Sequence, residues 1–389
     1  MTPPGARGLY DLTRAELGEA LGDEPRYRVD QLWEGMYAQM RSLEELTNVP
    51  KGLRRRLADA YPNTLRPTTQ SVSDNGDTLK VLWELADGAT VETVLMHYPQ
   101  QGGRTTVCVS SQAGCAMGCS FCATGQAGFE RHLSTGEMVE QVIGAHRIGR
   151  SRSRSGSTSS GSTSSGSTSS GSTGSGNRVS GNRVSGNRVS NIVFMGMGEP
   201  MANFDPTWEA VRRLHDDVGI GARHITISTV GLVPGIRRLA EADLPVNLAV
   251  SLHAADDDLR NELVPINRRW PLEVLMEACE QYFSATRRRI SFEWALISDV
   301  NDRFEDADRL VPLARRLSAH VNLIPLNPTP GYEVRGSSRN RVHAFARRLT
   351  DAGVNVTIRD TRGSDIDAAC GQLRAGHEAT AVRAPRRLS

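Results

Sequence analysis

Three cysteines lie within eight residues of the chain and are its strongest chemical signal. They are Cys115, Cys119 and Cys122, spaced as C-x3-C-x2-C. Three thiolates on one short loop can hold three irons of a [4Fe–4S] cluster and leave the fourth iron without a protein ligand. That open iron can bind the amino and carboxylate groups of S-adenosylmethionine. One electron from the cluster can then cleave the sulfonium and make a 5′-deoxyadenosyl radical.

The same loop has a second interpretation, a structural zinc site. Zinc sites of this kind close on four ligands. Of the six cysteines in the chain, only Cys108 lies near enough in sequence to be the fourth. Iron–sulfur chemistry is therefore the expectation, and zinc is the alternative.

Strand-like and helix-like segments alternate from residue 105 onward. The strand-like segments are 105–111, 191–195, 224–228, 246–251, 290–297 and 321–326, and the helix-like segments are 136–147, 205–218, 235–242, 272–286 and 305–319. This alternation predicts an α/β fold with parallel strands and right-handed crossovers. Six such units favour a partial (β/α)6 barrel. A doubly wound sheet is less well supported, because no Gly-x-Gly-x-x-Gly motif follows the first strand.

Polar residues stand where these predicted strands end. Gly198 and Glu199 follow the second strand, Ser228 ends the third, Ser251, Leu252 and His253 end the fourth, and Asn327 follows the sixth. The cysteine loop follows the first strand. Active sites of βα barrels form at the carboxyl ends of the strands. These residues are therefore predicted to share one site.

The chain before the barrel has a different pattern. Residues 1–70 are predicted to be helical, with Thr13 capping a helix that begins at Arg14, and 79–96 form a hairpin that turns at Asp87 and Gly88. We expect an N-terminal helical domain at 1–78, a linking hairpin at 79–104, the barrel at 105–373, and a disordered tail at 374–389.

A low-complexity insertion, 151–190, interrupts the barrel after its first helix. Within it, 155–189 contains seven pentads that each begin with Ser-Gly. Four of them lack any apolar residue, so they cannot bury a core, and the segment is predicted to be a flexible tether. Its arginines at 178, 183 and 188 are either neutral or contact phosphate.

Charge and hydropathy exclude several classes of protein. The 46 basic and 44 acidic residues give a net charge of +2, which excludes a histone-like polycation. No run of 18 apolar residues exists, and the N-terminus has no apolar signal segment, so we expect a cytoplasmic protein. Any nucleic-acid phosphates would have to be held by local basic groups, of which 54–56, 268–269 and 287–289 are the candidates.

Further motifs carry a resemblance to a known family. They are Val91-Glu92-Thr93-Val94, Cys108-Val-Ser-Ser-Gln112, Gly125-Gln-Ala-Gly-Phe129, Met195-Gly-Met-Gly-Glu199-Pro200, Ser228-Thr229, Ser251-Leu-His253, Asn322-Leu-Ile-Pro-Leu-Asn327-Pro328 and Thr361-Arg-Gly-Ser-Asp-Ile-Asp-Ala-Ala-Cys370-Gly-Gln. Together with the three cysteines they resemble the RlmN-like radical S-adenosylmethionine enzymes, which methylate C2 of adenosine in 23S ribosomal RNA and in tRNA. The likeness covers Glu92 to Leu373, apart from the pentads.

The resemblance implies roles for three more residues. Cys370 is methylated by one S-adenosylmethionine, and a second one supplies the radical that takes hydrogen from the S-methyl group. The resulting methylene radical adds to C2, and Glu92 removes the C2 proton as general base. Cys108 then attacks the sulfur of Cys370, which forms a disulfide and frees the methylated base. Reduction of the disulfide restores the enzyme.

The resemblance also implies the remaining ligands and partners. Gly198, Glu199, Ser228, Ser251, Leu252, His253 and Asn327 bind S-adenosylmethionine. The partners are 23S ribosomal RNA, tRNA, and an electron donor such as flavodoxin or ferredoxin. The helical N-terminal domain helps to dock the structured RNA. The enzyme is expected to be a monomer that binds no membrane.

Three alternatives remain open at this point. The related resistance-type methyltransferase, which attacks C8 of the same ribosomal adenosine, shares the cysteines. A zinc-stabilised RNA-binding module would use the cysteine loop without catalysis. A thiol–disulfide enzyme would use Cys108 and Cys370, but it leaves the three-cysteine loop unexplained.

Overall fold

A ten-stranded sheet runs through this computed structural model, which describes residues 7–157, 188–327, 334–359, 362–368 and 372–373. The strands are Leu65–Ser73 (β1), Thr78–Leu85 (β2), Thr90–Tyr98 (β3), Arg104–Cys108 (β4), Gln112–Gly114 (β5), Phe129–His132 (β6), Asn191–Phe194 (β7), Ile225–Thr229 (β8), Asn247–Ser251 (β9), Ser291–Leu296 (β10), His320–Pro325 (β11) and Asn355–Ile358 (β12). The order in the sheet is β1-β2-β3-β4-β7-β8-β9-β10-β11-β12, and β5 pairs separately with β6. Strands β1 to β4 are antiparallel, β4 runs parallel to β7, and β7 through β12 are parallel to one another.

Helices connect each parallel strand to the next. The helices are Arg14–Leu21 (α1), Tyr27–Trp33 (α2), Lys51–Ala60 (α3), Ala123–Ala127 (α4), Thr135–Ser157 (α5), Phe204–Asp216 (α6), Val233–Ala240 (α7), Asp257–Leu263 (α8), Leu272–Thr286 (α9), Phe304–Arg316 (α10) and Arg339–Asp351 (α11). Helices α5, α6, α7, α9, α10 and α11 complete six strand–helix units before β12. The predicted α/β alternation is confirmed. The predicted strands and helices are found with most ends shifted by three residues or fewer, but α5 runs ten residues past its predicted end.

The expectation of a wholly helical segment over residues 1–70 was wrong at its end. Thr13 does cap α1, since its side chain accepts a hydrogen bond from the Glu16 N–H. Residues 65–73, however, form β1, which pairs with β2 in antiparallel register. The segment is rich in Thr and Val, which favour strands, and Pro67 sits at an irregularity of this edge strand, where a missing N–H costs no ladder bond. The predicted hairpin at 79–96 is confirmed as β2 and β3.

The helical N-terminal segment is fixed to the barrel by buried polar contacts. Arg213 on α6 donates to the carbonyl oxygens of Tyr10 and Leu12 at 2.6 and 3.0 Å. The Asp11 carboxylate accepts from the Gly136 N–H at 2.8 Å. Because these donors and acceptors come from both parts of the chain, the N-terminal segment packs as part of the same structure.

Two cavities lie at opposite ends of the parallel strands. The one at the amino ends, about 2010 Å³ with its open mouth, is lined by residues from both β4 and β12, including Arg104 and Thr357. Since one cavity touches both of these strands, the sheet curls into an incomplete barrel. Residues 287–289 also line this cavity. These three candidate phosphate-binding arginines therefore lie at the end of the barrel opposite the cysteine loop.

The structure describes both ends of the segment 155–189, which was predicted to be a tether. Helix α5 continues to Ser157, and the structure describes the chain again from Arg188. Arg188 donates to the Val218 carbonyl oxygen at 2.8 Å, and Val189 is buried. The expectation that 155–189 is a tether throughout was therefore wrong at both ends. Of the three candidate arginines in the insertion, Arg188 is the one in the described part of the chain, and it donates a hydrogen bond to the protein backbone.

Several expectations fall on residues outside the described ranges. These are the pentads at 158–187, the tail at 374–389, and Cys370. No helix in the described part of the chain is both long and apolar enough to cross a membrane.

Candidate active site

The three cysteines lie between β5 and the start of α4, on a loop held by its own backbone. The Cys115 N–H donates to the Gly128 carbonyl oxygen at 2.6 Å, and the Cys122 N–H donates to the Cys119 carbonyl oxygen at 3.2 Å. A Cβ atom on Gly125 would lie 3.1 Å from the Cys119 nitrogen, so the first turn of α4 approaches the loop closely. The loop is thus a compact unit with its thiols set close to one another.

The environment of these thiols fits an iron–sulfur cluster. Burial raises the pKa of Cys115 to about 12 and raises the pKa of Cys119 as well, and the neighbouring cysteines raise both further. Three neighbouring thiolates, one buried and two half-buried, need positive charge to compensate them, and metal ions supply it. The loop itself supplies three thiol ligands, one fewer than a closed zinc site needs.

A cavity of about 950 Å³, including its open mouth, lies beside the cysteine loop at the carboxyl ends of the strands. Its lining includes eight of the residues predicted from the sequence: Cys119, Cys122, Gly198, Glu199, Ser228, Ser251, His253 and Asn327. Leu252 is fully buried behind the lining, where its N–H donates to the Glu293 carbonyl oxygen at 3.0 Å. The predicted gathering of strand-end residues around one site is therefore observed.

Glu199 is held by hydrogen bonds that fix its carboxylate. One oxygen accepts from the Val230 N–H at 2.8 Å and the other from the Met201 N–H at 3.0 Å. Burial raises the pKa of Glu199 to about 7, although these bonds oppose the shift. Gly198 before it has φ of +96°, and a Cβ there would lie 2.5 Å from the Gln112 side chain. Only glycine fits at that position.

His253 adopts a left-handed backbone conformation, with φ of +61°. Its Nδ1 accepts from the Ala295 N–H at 3.0 Å, so the proton of the neutral ring lies on Nε2. Burial and the charge of Arg260 lower the pKa of His253 to about 3. Phe121 of the cysteine motif packs edge-on against this ring, with 4.6 Å between centroids. The strained strand end and the cysteine loop therefore support each other.

Arg260 on α8 was not predicted, yet it holds two strand ends together. Its guanidinium is fully buried. It donates to the carbonyl oxygens of Val230 after β8, at 2.7 Å, and of Leu252 after β9, at 3.0 Å. No local signal in the sequence distinguishes this arginine from the many exposed ones. Glu293, which lines both cavities, was missed for the same reason.

Glu92 and Cys108 lie on one face of the sheet. In the antiparallel register, Cys108 on β4 is opposite Val94 on β3, and Glu92 is two residues further along β3. Opposite residues and those two apart share a face. The same face carries Met96 and Thr106, which line the interior of the barrel. Both predicted reactive side chains therefore point to the inside.

Lys80 is a further residue that the sequence reasoning missed. Its Nζ lies 2.9 Å from Oε1 of Glu92, and the two side chains are 14% and 6% exposed. The signal was present in the predicted hairpin. A turn at Asp87 and Gly88 sets a register in which Lys80 faces Val94 and lies diagonal to Glu92.

Cys370 is outside the described residues, but the chain on both sides of it is described. On one side, the Asp367 carbonyl oxygen accepts a hydrogen bond from Lys80 at 3.2 Å. On the other, Leu373 lines the cavity, and its carbonyl oxygen accepts from the hydroxyl of Thr124 on α4. Asp367 is thus bonded to the partner of Glu92, and Leu373 lies beside the helix that follows the cysteine loop.

Comparisons with known proteins agree on one kind of relative. The sequence model of the Radical SAM superfamily matches residues 183–311. The chain is 48% identical to the "Probable dual-specificity RNA methyltransferase RlmN" of Chloroflexus aurantiacus, over 95% of this chain and 93% of the relative. It is 46% identical to the protein of the same name from Thermobifida fusca, over 96% of each. A crystal structure of a radical SAM methyltransferase from Sphaerobacter thermophilus superposes with a TM-score of 0.82 at 46% identity, covering 95% of this chain and 99% of that one.

Proposed function

We infer the reaction from one premise: this chain belongs to the RlmN family of dual-specificity RNA methyltransferases, within the radical SAM superfamily. The reaction is methylation of adenosine C2 in 23S ribosomal RNA and in tRNA. C2 is an electron-poor ring carbon and is not a nucleophile. An ordinary methyl transfer to it therefore fails, and a carbon radical is required.

The cofactors are a [4Fe–4S] cluster and two molecules of S-adenosylmethionine per turnover. When bound, they supply an electron, a radical and the methyl group. Cys115, Cys119 and Cys122 hold three irons. Gly198, Glu199, Ser228, Ser251, His253 and Asn327 bind S-adenosylmethionine through the cavity that they line, and Leu252 supports them from behind.

Three side chains handle the substrate base. The Cys370 thiol accepts the methyl group and carries it to C2. The Glu92 carboxylate takes the C2 proton, which must leave before aromaticity returns. The adduct also gives up one electron, which the [4Fe–4S] cluster would take back. The Cys108 thiolate then attacks the Cys370 sulfur, so the carbon–sulfur bond breaks and a sulfur–sulfur bond forms. The departing methylene carbon takes up a proton, and the methylated base is released. A thiol reductant supplies the two electrons that restore both cysteines.

Each of the four expected regions of the chain has its own role. Residues 1–78 dock structured RNA, 79–104 carry the general base, 105–373 form the catalytic barrel and 374–389 form a tail.

Exposed Arg268 and Arg269 follow β9, at the same end of the barrel as the cysteine loop, and they suit RNA phosphates. Arg54 does not, because it donates to the carbonyl oxygens of Val49, Leu43 and Glu44. A flavodoxin- or ferredoxin-type protein donates electrons to a monomeric, cytoplasmic enzyme.

One observation carries the proposal: the cysteine loop and the carboxyl ends of the six parallel strands β7 to β12 surround one cavity. An anaerobic assay with purified RNA and labelled S-adenosylmethionine tests it. Iron and sulfide should each approach four per chain, and mass spectrometry should find 2-methyladenosine. If 8-methyladenosine is the main product, the C2 assignment is wrong. A colourless protein with one zinc per chain would overturn the radical mechanism.

A further inference from the structure

We propose that Lys80 is a positioning residue for proton removal: its ammonium group holds the Glu92 carboxylate in place inside the barrel. This inference rests on the proposed role of Glu92 as general base. Nothing in the motif around Glu92 assigns a partner to it, and Lys80 lies on a different strand.

The geometry places the ammonium group between two fixed acceptors. Its Nζ lies 2.9 Å from Oε1 of Glu92 and 3.2 Å from the Asp367 carbonyl oxygen. Glu92 is also fixed through its backbone, since its carbonyl oxygen accepts from the Ser110 hydroxyl at 2.6 Å. The carboxylate therefore has an anchored main chain on one side and an anchored cation on the other.

A stabilising ion pair alone is a weak explanation for this contact. Both side chains are largely withdrawn from water, and the desolvation of two charges offsets much of the attraction between them. The pair does, however, restrict the directions in which the carboxylate can point. A general base works only within hydrogen-bond reach of its proton, and small displacements cost large factors in rate.

The composition of the chain adds a second observation. Its 46 basic residues include only two lysines, Lys51 and Lys80. The other 44 are arginines, whose side chain presents a broad planar fork of donors. A lysine presents a compact point charge. The inward-facing position beside Glu92 therefore holds the rarer and smaller cation of this chain.

The strand register explains why Lys80 reaches Glu92. Lys80 pairs with Val94, and Leu82 pairs with Glu92, so the two charged residues are diagonal neighbours on the same face. Diagonal neighbours are within reach of long side chains. The hairpin β2–β3 thus delivers the cation, and the segment after β12 supplies its second acceptor.

A step-specific experiment tests the proposal. Lys80→Met removes the charge and keeps most of the stem. Single-turnover reactions are run with RNA that carries hydrogen or deuterium at the target C2. We expect turnover to fall by about tenfold, with a C2 deuterium isotope effect larger than that of the wild type. A protein–RNA adduct that survives denaturation should accumulate, because the base cannot be released before the proton leaves.

Two measurements separate this role from a general loss of structure. Mass spectrometry of the same preparation should find Cys370 methylated as in the wild type, because methyl loading does not need Glu92. Arg66→Met is the matched control, since it removes a cation from the same β1–β2 hairpin, where Arg66 pairs with Glu84 at the surface. The control should keep wild-type turnover and isotope effect. Lys80→Gln replaces Lys80→Met if the latter does not fold.

The outcomes are distinct. Lys80→Met with wild-type turnover, no adduct and an unchanged isotope effect would overturn the positioning role. Slower turnover with an unchanged isotope effect and no adduct would also overturn it, since proton removal would not be the affected step. Wild-type protein that makes no 2-methyladenosine would instead overturn the proposed function.

Discussion

At the scale of single residues, the proposed chemistry needs a second thiol to release the product. Cys108 lies on the inner face of β4 and is buried. In Cys108→Ala the thioether between Cys370 and the base cannot be resolved. We therefore expect protein covalently bound to RNA to accumulate after one turnover, and a denaturing gel should show it.

Cys370→Ala is the matched control for this variant. It should bind the cluster and give neither adduct nor product, because it has no sulfur to carry the methyl group. Free, fully methylated RNA from Cys108→Ala would contradict the resolving role. Turnover by Cys370→Ala would contradict the carrier role.

Arg260 gives a second prediction at this scale. Arg260→Met keeps a similar volume but leaves the carbonyl oxygens of Val230 and Leu252 without their buried donor. We expect the free energy of unfolding to fall by about 3 kcal/mol. The affinity for S-adenosylmethionine should fall as well, because both strand ends border its cavity. Urea unfolding and equilibrium binding measure the two effects.

Arg309→Met is the control for Arg260. Arg309 pairs with Asp256 at 3.1 Å, but its side chain is 55% exposed. Surface pairs contribute about 1 kcal/mol or less. If the two variants lose equal stability, burial of the Arg260 cation is not what matters.

Residues of the site differ in how far the sequence reveals them. The cysteine spacing and the strand-end motifs are local patterns, so Cys119, Glu199 and His253 could be predicted. Lys80, which pairs with Glu92, and Arg260, which bonds the two strand ends, could not be predicted from local patterns. Lys80 depends on a cross-strand register, and Arg260 depends on how α8 packs. Such contacts are set by tertiary structure rather than by neighbours along the chain.

At the scale of elements, Glu140 connects α5 to the chain entering β1. Its carboxylate accepts hydrogen bonds from the Thr64 hydroxyl at 2.7 Å and the Thr64 N–H at 3.0 Å. Burial raises its pKa from 4.5 to about 7. Because the pKa is raised in the folded state, its contribution to stability is present below pH 4.5 and is lost as pH rises through about 7.

Glu140→Gln should remove this pH dependence. Between about pH 5.5 and about pH 7.5, the wild type should lose about 2 kcal/mol of unfolding free energy relative to the variant. Urea unfolding of both proteins across this range measures the difference. Parallel curves would show that the folded protein does not raise the pKa of this carboxyl.

The elements themselves were largely predictable, with one instructive exception. Helices α6 and α9 follow from the helical spacing of their apolar residues, and the parallel strands follow from short apolar segments between those helices. For strand β1 the sequence wrongly predicts helix. Five consecutive residues of this edge strand are exposed, so no alternation of buried and exposed side chains marks it. Its place in the sheet comes from pairing with β2.

At the scale of the whole molecule, the insertion can be tested by shortening it. Replacing 158–187 with a Gly/Ser linker of roughly ten residues should leave methylation unchanged. Loop closure becomes easier by only about 1 kcal/mol, because its entropy depends on the logarithm of length. Product formation and thermal unfolding check both statements.

A longer deletion, 155–189, provides the contrast. It also removes Arg188 and the buried Val189, which anchor the chain ahead of β7. This variant should be the less stable of the two. A large loss of activity from the shorter deletion alone would show that the pentads take part in catalysis.

In the proposed reaction the target base must reach Glu92 and Cys108, which lie on the inner face of the sheet and are 4% and 6% exposed. A base that stays stacked within a folded RNA cannot enter so enclosed a space. The target nucleotide therefore has to swing out of its stack, so selection among adenosines begins with how easily each one leaves its neighbours.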